Sequence, residues 1–207
     1  MTKITIIDYG VGNLGSIQNM LKYINVDFDM AFDHRDIKAA DKVLLPGVGA
    51  FDAAIDTLHE KNLVDSLNEF VTIKKKPLLG ICLGMQLLTN QSEEGKKKGF
   101  GWIEGEATKF NFGDNPDKLK VPHMGWNFIQ PQYDNPLLAE MDETYRFYFV
   151  HSYFVSCQKK DNVLATTHFG HDFASIINKD NVFGAQFHPE KSHKFGMKLL
   201  NNFAKKV

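Results

Sequence analysis

Over the first 92 residues, short apolar runs alternate with stretches whose apolar residues recur at helical spacing. Lys3 to Asp8, Asp27 to Phe32, Lys42 to Leu45 and Pro77 to Ile81 read as strands. Leu14, Ile17, Leu21 and Ile24 mark one amphipathic helix, and Leu63, Leu67, Phe70 and Val71 mark another. Leu83 to Asn90 reads as a third. Short apolar strands alternating with amphipathic helices imply βαβ crossovers, and so an α/β fold with a mostly parallel sheet flanked by helices.

From about Trp102 to Gln186 the pattern changes to short strands punctuated by Gly, Pro, Asn and Asp. These are Glu106 to Phe110, Trp126 to Gln130, Phe147 to Val155, Val163 to Phe169, Phe173 to Asn178 and Val182 to Phe187. A closing helix carries Phe195, Leu199, Leu200 and Phe203. With no repeat and no long linker, residues 1–207 are expected to form one α/β domain with additional β structure. A hydrophobic share of 43%, including 17 Phe, supplies the core such a domain needs.

Charge excludes several functions. Lys and Arg total 24 against 25 Asp and Glu, so no net field draws the chain to nucleic acid or anionic lipid. The runs Lys74 to Lys76 and Lys96 to Lys98 are short and far apart, and read as solvated helix ends or loops. No segment approaches the roughly 18 apolar residues of a membrane span, and MTKITIIDYG lacks a cleavage-site pattern. With two cysteines, Cys82 and Cys157, a reduced, cytosolic chain is the simpler expectation. No Cys/His spacing matches a structural zinc site; His168 and His171 read as flanking a strand end or loop.

Ligands of open α/β sheets gather at the carboxyl ends of parallel strands, and three loops there carry chemistry. DYGVGNLGS places Gly10, Gly12 and Gly15 in a G-x-G-x-x-G pattern between strand and helix, with Asp29 and Asp33 about 20 residues on. Dinucleotide binding is one reading; a tight turn that needs glycine is the other. In LLGICLGMQLL, Cys82 stands between Gly80 and Gly84 at a strand-to-helix turn, the thiol counterpart of a nucleophile elbow. There a helix N-terminus favours a thiolate, and backbone amides beginning with Leu83 can meet an oxyanion. A buried core cysteine has no need of glycines on both sides. In GAQFHPEKS, His188 follows an apolar strand and Glu190 lies two residues on, placed to hold the imidazole toward a sulfur. Together these predict a Cys82-His188-Glu190 triad.

GICLGMQLL and FHPEKS resemble the two signatures of the class I (triad) glutamine amidotransferases. LPGVGAF, PHMGWN and YFVHSY are narrower and resemble the glutaminase subunits of imidazole glycerol phosphate synthases; the resemblance spans essentially the whole chain. It implies a flavodoxin-like glutaminase domain with added antiparallel strands, which hydrolyses L-glutamine to glutamate and ammonia through a Cys82 thioester. His188 would be general base and acid and Glu190 its orienter. Leu83 and the Pro46-Gly47-Val48-Gly49 segment, through Val48 or Gly49, would form the oxyanion hole. Gln86 and the backbone of His151, Ser152 and Tyr153 would bind glutamine. No metal or organic cofactor is implied, and the DYGVGN loop would contact a partner.

A glutaminase domain of this length leaves no room for an acceptor site, so a separate chain is expected to use the ammonia. By resemblance the partner is a (β/α)8-barrel cyclase in histidine biosynthesis, with Asn13, Trp126, Tyr148 and Lys191 near the interface. Paralogues that serve surface-sugar (amidino or amino sugar) biosynthesis share these features and form the alternative. Weak activity of the isolated chain is expected, because the PGVG peptide would need the partner to turn toward the substrate. A cysteine peptidase would share the elbow but leave Gln86 and the PGVG and HSY segments unexplained.

Overall fold

The computed structural model describes residues 3–113, 119–142 and 144–207. Every residue of the first strand, β1 (Ile4–Ile7), is buried, as parallel strands covered on both faces require. There follow α1 (Leu14–Tyr23), β2 (Phe28–Ala31), α2 (His34–Ala39), β3 (Lys42–Gly47), α3 (Phe51–Glu60), α4 (Val64–Asn68), β4 (Leu78–Cys82) and α5 (Leu83–Leu87). The second half adds β5 (Gln91–Ser92), β6 (Gly105–Lys109), β7 (His123–Phe128), β8 (Gln130–Pro131), β9 (Arg146–His151) and β10 (Tyr153–Cys157). β11 (Val163–Phe169), β12 (His171–Lys179), β13 (Val182–Ala185) and α6 (His193–Lys205) complete it.

The main sheet has the order β2-β1-β3-β4-β13-β12-β10-β6-β5, with β11 and β8 joined beyond β12. Pairing is parallel from β2 through β13 and turns antiparallel at β12. The α/β expectation is thus met, with added antiparallel strands. β7 and β9 form a separate antiparallel pair. Alternation along β3 sends Leu44 into one core with Ile4, Ile6, Leu79 and Phe187. Val43 and Leu45 enter the other, with Phe51, Leu58, Leu83 and Met85. Both faces of the parallel sheet are therefore dry. No helix among the described residues is long and apolar enough to cross a membrane.

The structure departs from the sequence reading in several places. α2 is a single short helix held by a capping box, in which Asp33 accepts from Arg35 N at 2.7 Å and Asp36 accepts from Asp33 N at 3.2 Å. α3 buries Phe51, Ala54, Ile55 and Leu58, a helical stripe the strand-and-helix alternation passed over. The expected strand Phe147 to Val155 is two strands: β9 pairs with β7, whereas β10 pairs with β6 and β12. Ser152 is where the chain changes sheets. Last, β13 ends at Ala185, so that Gln186 to His188 leave the sheet for the candidate site.

Lys42 opens β3 almost completely buried, yet no side-chain carboxylate pairs with it among the described residues. Its ammonium donates to the carbonyls of Phe203 and Ala204 at 2.9 Å each, and to a main-chain oxygen of Val207 at 2.7 Å. These are orphan acceptors at the end of α6, where a cation is favoured. Lys42→Met keeps the stem but strands two buried acceptors and a half-buried one, so it is expected to destabilise the fold by about 2–3 kcal/mol. Urea denaturation reads this as a lower midpoint; an unchanged midpoint would show that the tie is energetically idle.

Candidate active site

Three strand ends meet at the site, and register fixes which residues they bring. Gly47 pairs with Cys82 across β3 and β4, and Ala185 pairs with Ile81 across β13 and β4. Cys82 therefore ends its strand with the PGVG segment on one side and the approach to His188 on the other. Its backbone is forced into φ +55°, ψ −111°, a region β-carbon sterics disfavour. The glycines around it are sterically required. A β-carbon on Gly80 would lie 2.5 Å from the Gly84 carbonyl oxygen, and one on Gly84 would lie 1.9 Å from that of Leu45. The turn is an elbow with backbone packed on backbone.

His188 is fixed by an anchor that sequence reasoning did not foresee. Its N–H donates to the Tyr148 carbonyl at 2.9 Å. Ser192 Oγ in turn donates to the His188 carbonyl at 2.6 Å and accepts from Tyr148 N at 2.9 Å. The Pro189–Lys191 turn then folds Glu190 back, and its Oε1 lies 2.8 Å from His188 Nδ1 with both side chains buried. Burial opposes a charged ring here. The hydrogen bonds and negative charge of Cys82 and Glu190 outweigh it and hold the imidazole far above its ordinary value. The arrangement favours an imidazolium between two acidic groups.

One cavity of about 390 Å³ collects Val48, Gly49, Cys82, Leu83, Gln86, His151, Ser152, Tyr153 and His188, with Lys191 at its wall. Glu190 sits behind His188. Gly49 has φ +99°, a conformation open to glycine. Gln86 donates to the Tyr153 carbonyl at 3.2 Å and to Gln186 Oε1 at 3.3 Å, and the Gln186 amide lies 3.8 Å from Cys82 Sγ. The sequence reading missed Gln186, although it stands two residues before His188 in an otherwise apolar strand end. It also missed Glu94, which lines the cavity and accepts from Phe51 N at 2.9 Å. Nothing in the local sequence marks Glu94, because the distant start of α3 orients it.

Of the expected interface residues, Trp126, Tyr148 and Lys191 gather beside the cavity. Lys191 Nζ lies 5.8 Å from the Tyr148 ring centroid, and Trp126 stacks on His193. Asn13 is exposed at the start of α1, which packs on the Pro189–Lys191 turn. Met124, Trp126 and Phe128 alternate on the outer face of β7, at 62%, 43% and 51% exposure. Their period of two in HMGWNF was a readable signal for Met124 and Phe128.

The glycine-rich loop has local uses. Gly10 and Gly12 both take positive φ, and a β-carbon on Gly12 would press on Pro46 at 3.3 Å. Asp29 pairs with Lys3 and Asp33 caps α2, so both acidic candidates for a ribose are already engaged. His168 and His171 flank the Gly170 turn between β11 and β12, and both cysteines are free thiols.

Residues 5–207 match the model of the family described as glutamine amidotransferase class-I. The chain is 52% identical to imidazole glycerol phosphate synthase subunit HisH 2 of Methanococcus maripaludis, covering 99% of this chain and 100% of that one. It is 49% identical to the HisH 2 subunit of Pseudomonas aeruginosa over the same shares, and 46% identical to the HisH subunit of Leptospira interrogans over 97% and 98%. Among solved structures, one titled as a glutamine amidotransferase matches with TM-score 0.75 at 15% identity, covering 96% of each chain. A glutamine amidotransferase from Thermotoga maritima matches at TM-score 0.65 and 17% identity, covering 98% of this chain and 82% of that one. These two speak for the fold.

Two further buried histidines adjoin the cavity. Burial lowers His123 to about 4 and His151 to about 3, from an ordinary 6.5. A base depressed in the fold stabilises it fully above pH 6.5, and that stability drains away as pH falls toward the folded value. His188, raised in the fold, contributes nothing further over that acid range. Stability is expected to decline between pH 6.5 and 4 by on the order of 2–3 kcal/mol for each of the two. Urea midpoints measured at intervals over this range should fall less steeply for His123→Phe; identical slopes would exclude His123 as a source.

Proposed function

The chain belongs to the class-I glutamine amidotransferase family, and on that basis we propose that it hydrolyses the side-chain amide of L-glutamine and hands the ammonia to a partner. What supports this reading most directly is the single cavity where Cys82, His188 and the Glu190 hydrogen bond converge. Residues 1–207 act as one glutaminase domain, in a cytoplasmic setting.

Cys82 passes its thiol proton to His188, and the thiolate so formed attacks the amide carbon and breaks the carbonyl π bond. The oxyanion meets the Leu83 N–H and one amide of Val48 or Gly49, where fixed donors are worth most. The His188 imidazolium protonates the amide nitrogen, the C–N bond breaks, and ammonia leaves a glutamyl thioester on Cys82. Neutral His188 then takes a proton from water, hydroxide attacks the thioester, and glutamate departs as Cys82 is restored. Glu190 holds the ring so that Nε2 faces sulfur throughout. Gln86 and the backbone of His151, Ser152 and Tyr153 hold the glutamine, and Glu94 offers a carboxylate to its α-ammonium.

The partner is a (β/α)8-barrel cyclase that adds ammonia to a phosphoribulosyl formimino intermediate, giving imidazole glycerol phosphate and an aminoimidazole carboxamide ribotide. The relatives above carry the name of that synthase. Met124, Trp126 and Phe128 give β7 an apolar outer face beside the cavity mouth, suited to such docking. Asn13, Tyr148 and Lys191 extend it. A second reading, supply of ammonia to a surface-sugar enzyme, draws on one observation: two of the relatives are numbered as second HisH subunits.

Glutamate release by the purified chain is expected to be weak alone and to rise when the barrel partner and acceptor are added. Cys82→Ala abolishes it, and Glu190→Gln lowers kcat by about 10²–10⁴-fold. Turnover that survives Cys82→Ala would sink the proposal. For the acceptor, the gene is expressed in a histidine auxotroph lacking its own glutaminase subunit but carrying the cognate barrel. Growth without histidine supports the cyclase, and failure to grow with the protein present favours the sugar reading.

A further inference from the structure

The side chains of His123 and His151 take no part in the mechanism, yet they are held side by side and nearly fully buried next to the cavity that His151 lines. Phe149 and Phe169 stack on His123, with ring centroids 4.8 and 4.2 Å away. An aromatic core has no need of two imidazoles, so their polar atoms call for an account.

The hydrogen bonds among them have only one consistent direction. Asn127 is oriented by two backbone groups: its Oδ1 accepts from Phe128 N at 2.9 Å and its Nδ2 donates to the His168 carbonyl at 2.9 Å. The same Nδ2 lies 3.2 Å from His123 Nε2, which must therefore accept. The His123 proton is then on Nδ1, donating to His151 Nε2 at 3.1 Å. That leaves the His151 proton on its own Nδ1, donating to the Tyr153 carbonyl at 2.8 Å. The far end gives the same answer independently, since a carbonyl only accepts. Both rings are neutral Nδ1–H tautomers, as their burial demands.

The chain ends on a carbonyl that matters. Tyr153 O also accepts from Gln86, and Ser152 and Tyr153 line the cavity at the point where the chain changes sheets. We propose that His123 and His151 are positioning residues, a one-way relay from Asn127 on β7 that fixes the Ser152–Tyr153 backbone and so sets the affinity for glutamine. This rests on the glutaminase reading above. The relay starts between Trp126 and Phe128, on the strand whose outer face is assigned to the partner.

The test uses the complex with the barrel partner. His123→Phe keeps the ring and its stacking but removes the donor to His151, whereas His123→Asn restores an N–H near the Nδ1 position. The expected result is a glutamine KM raised about fivefold or more in His123→Phe, kcat within about twofold, and most of the loss recovered in His123→Asn. A KM unchanged in His123→Phe, or kcat falling with it, overturns the relay. So does an equal effect of both variants. Should His123→Phe fail to fold, ¹⁵N spectra of the ring nitrogens in the wild-type chain decide: two neutral Nδ1–H tautomers support the relay, and an Nε2–H form at either ring overturns it. Labelling of wild-type Cys82 by a chloroketone analogue of glutamine separates the two layers. Labelling with an unaffected KM discards the relay alone; no labelling and no turnover discards the glutaminase reading and the relay with it.

Discussion

The site depends on how closely the first turn of α5 lies against the end of β3. A β-carbon at Gly84 would stand 1.9 Å from the Leu45 carbonyl oxygen, and one at Gly47 would stand 2.8 Å from Gly84 N. Only backbone fits there. This contact lets the helix start immediately after Cys82, tips the thiol into the cavity, and brings the Val48 and Gly49 amides beside it. The strained φ of Cys82 is sustained by the same packing, because no relaxed conformation would keep the helix against β3.

Four buried basic side chains around the cavity and its sheet show how environment decides charge. His188 sits between the Cys82 sulfur and a carboxylate and is held charged, whereas His123 and His151 are buried among aromatic rings and neutral hydrogen-bond partners, with no carboxylate beside them, and are held neutral. Lys42 is buried without a side-chain carboxylate, yet three main-chain oxygens at and just after the end of α6 satisfy its ammonium. One chain thus keeps imidazoles in opposite states within a single sheet-end cluster, by choice of partner and not of residue type.

Much of this was legible in the sequence, and for identifiable reasons. The β1, β3 and β4 runs are continuous apolar stretches, which only strands buried on both faces carry, so the parallel half could be read directly. The triad was legible because an elbow needs its glycines beside Cys82 and because Glu190 reaches His188 within a single turn. What escaped was whatever depends on distant neighbours. Glu94 is oriented by the start of α3, Ser192 is recruited by Tyr148, and the break at Ser152 exists because β9 and β10 pair with different sheets. The histidine relay escaped for the same reason, since His123 and His151 are 28 residues apart and meet only through the β7–β9 pairing.

The short strand β13 has a consequence for how the protein comes to be folded. Among the described strands of the main sheet it alone joins the parallel half, through β4, to the antiparallel half, through β12. Its residues pair with those of β4, far earlier in the chain, so the seam between the halves is a non-local contact of the kind that slows folding. His188 follows that strand directly. The thiol is therefore shaped by the parallel half of the sheet and its base placed by the strand that joins the halves, so nucleophile and base meet only across the seam.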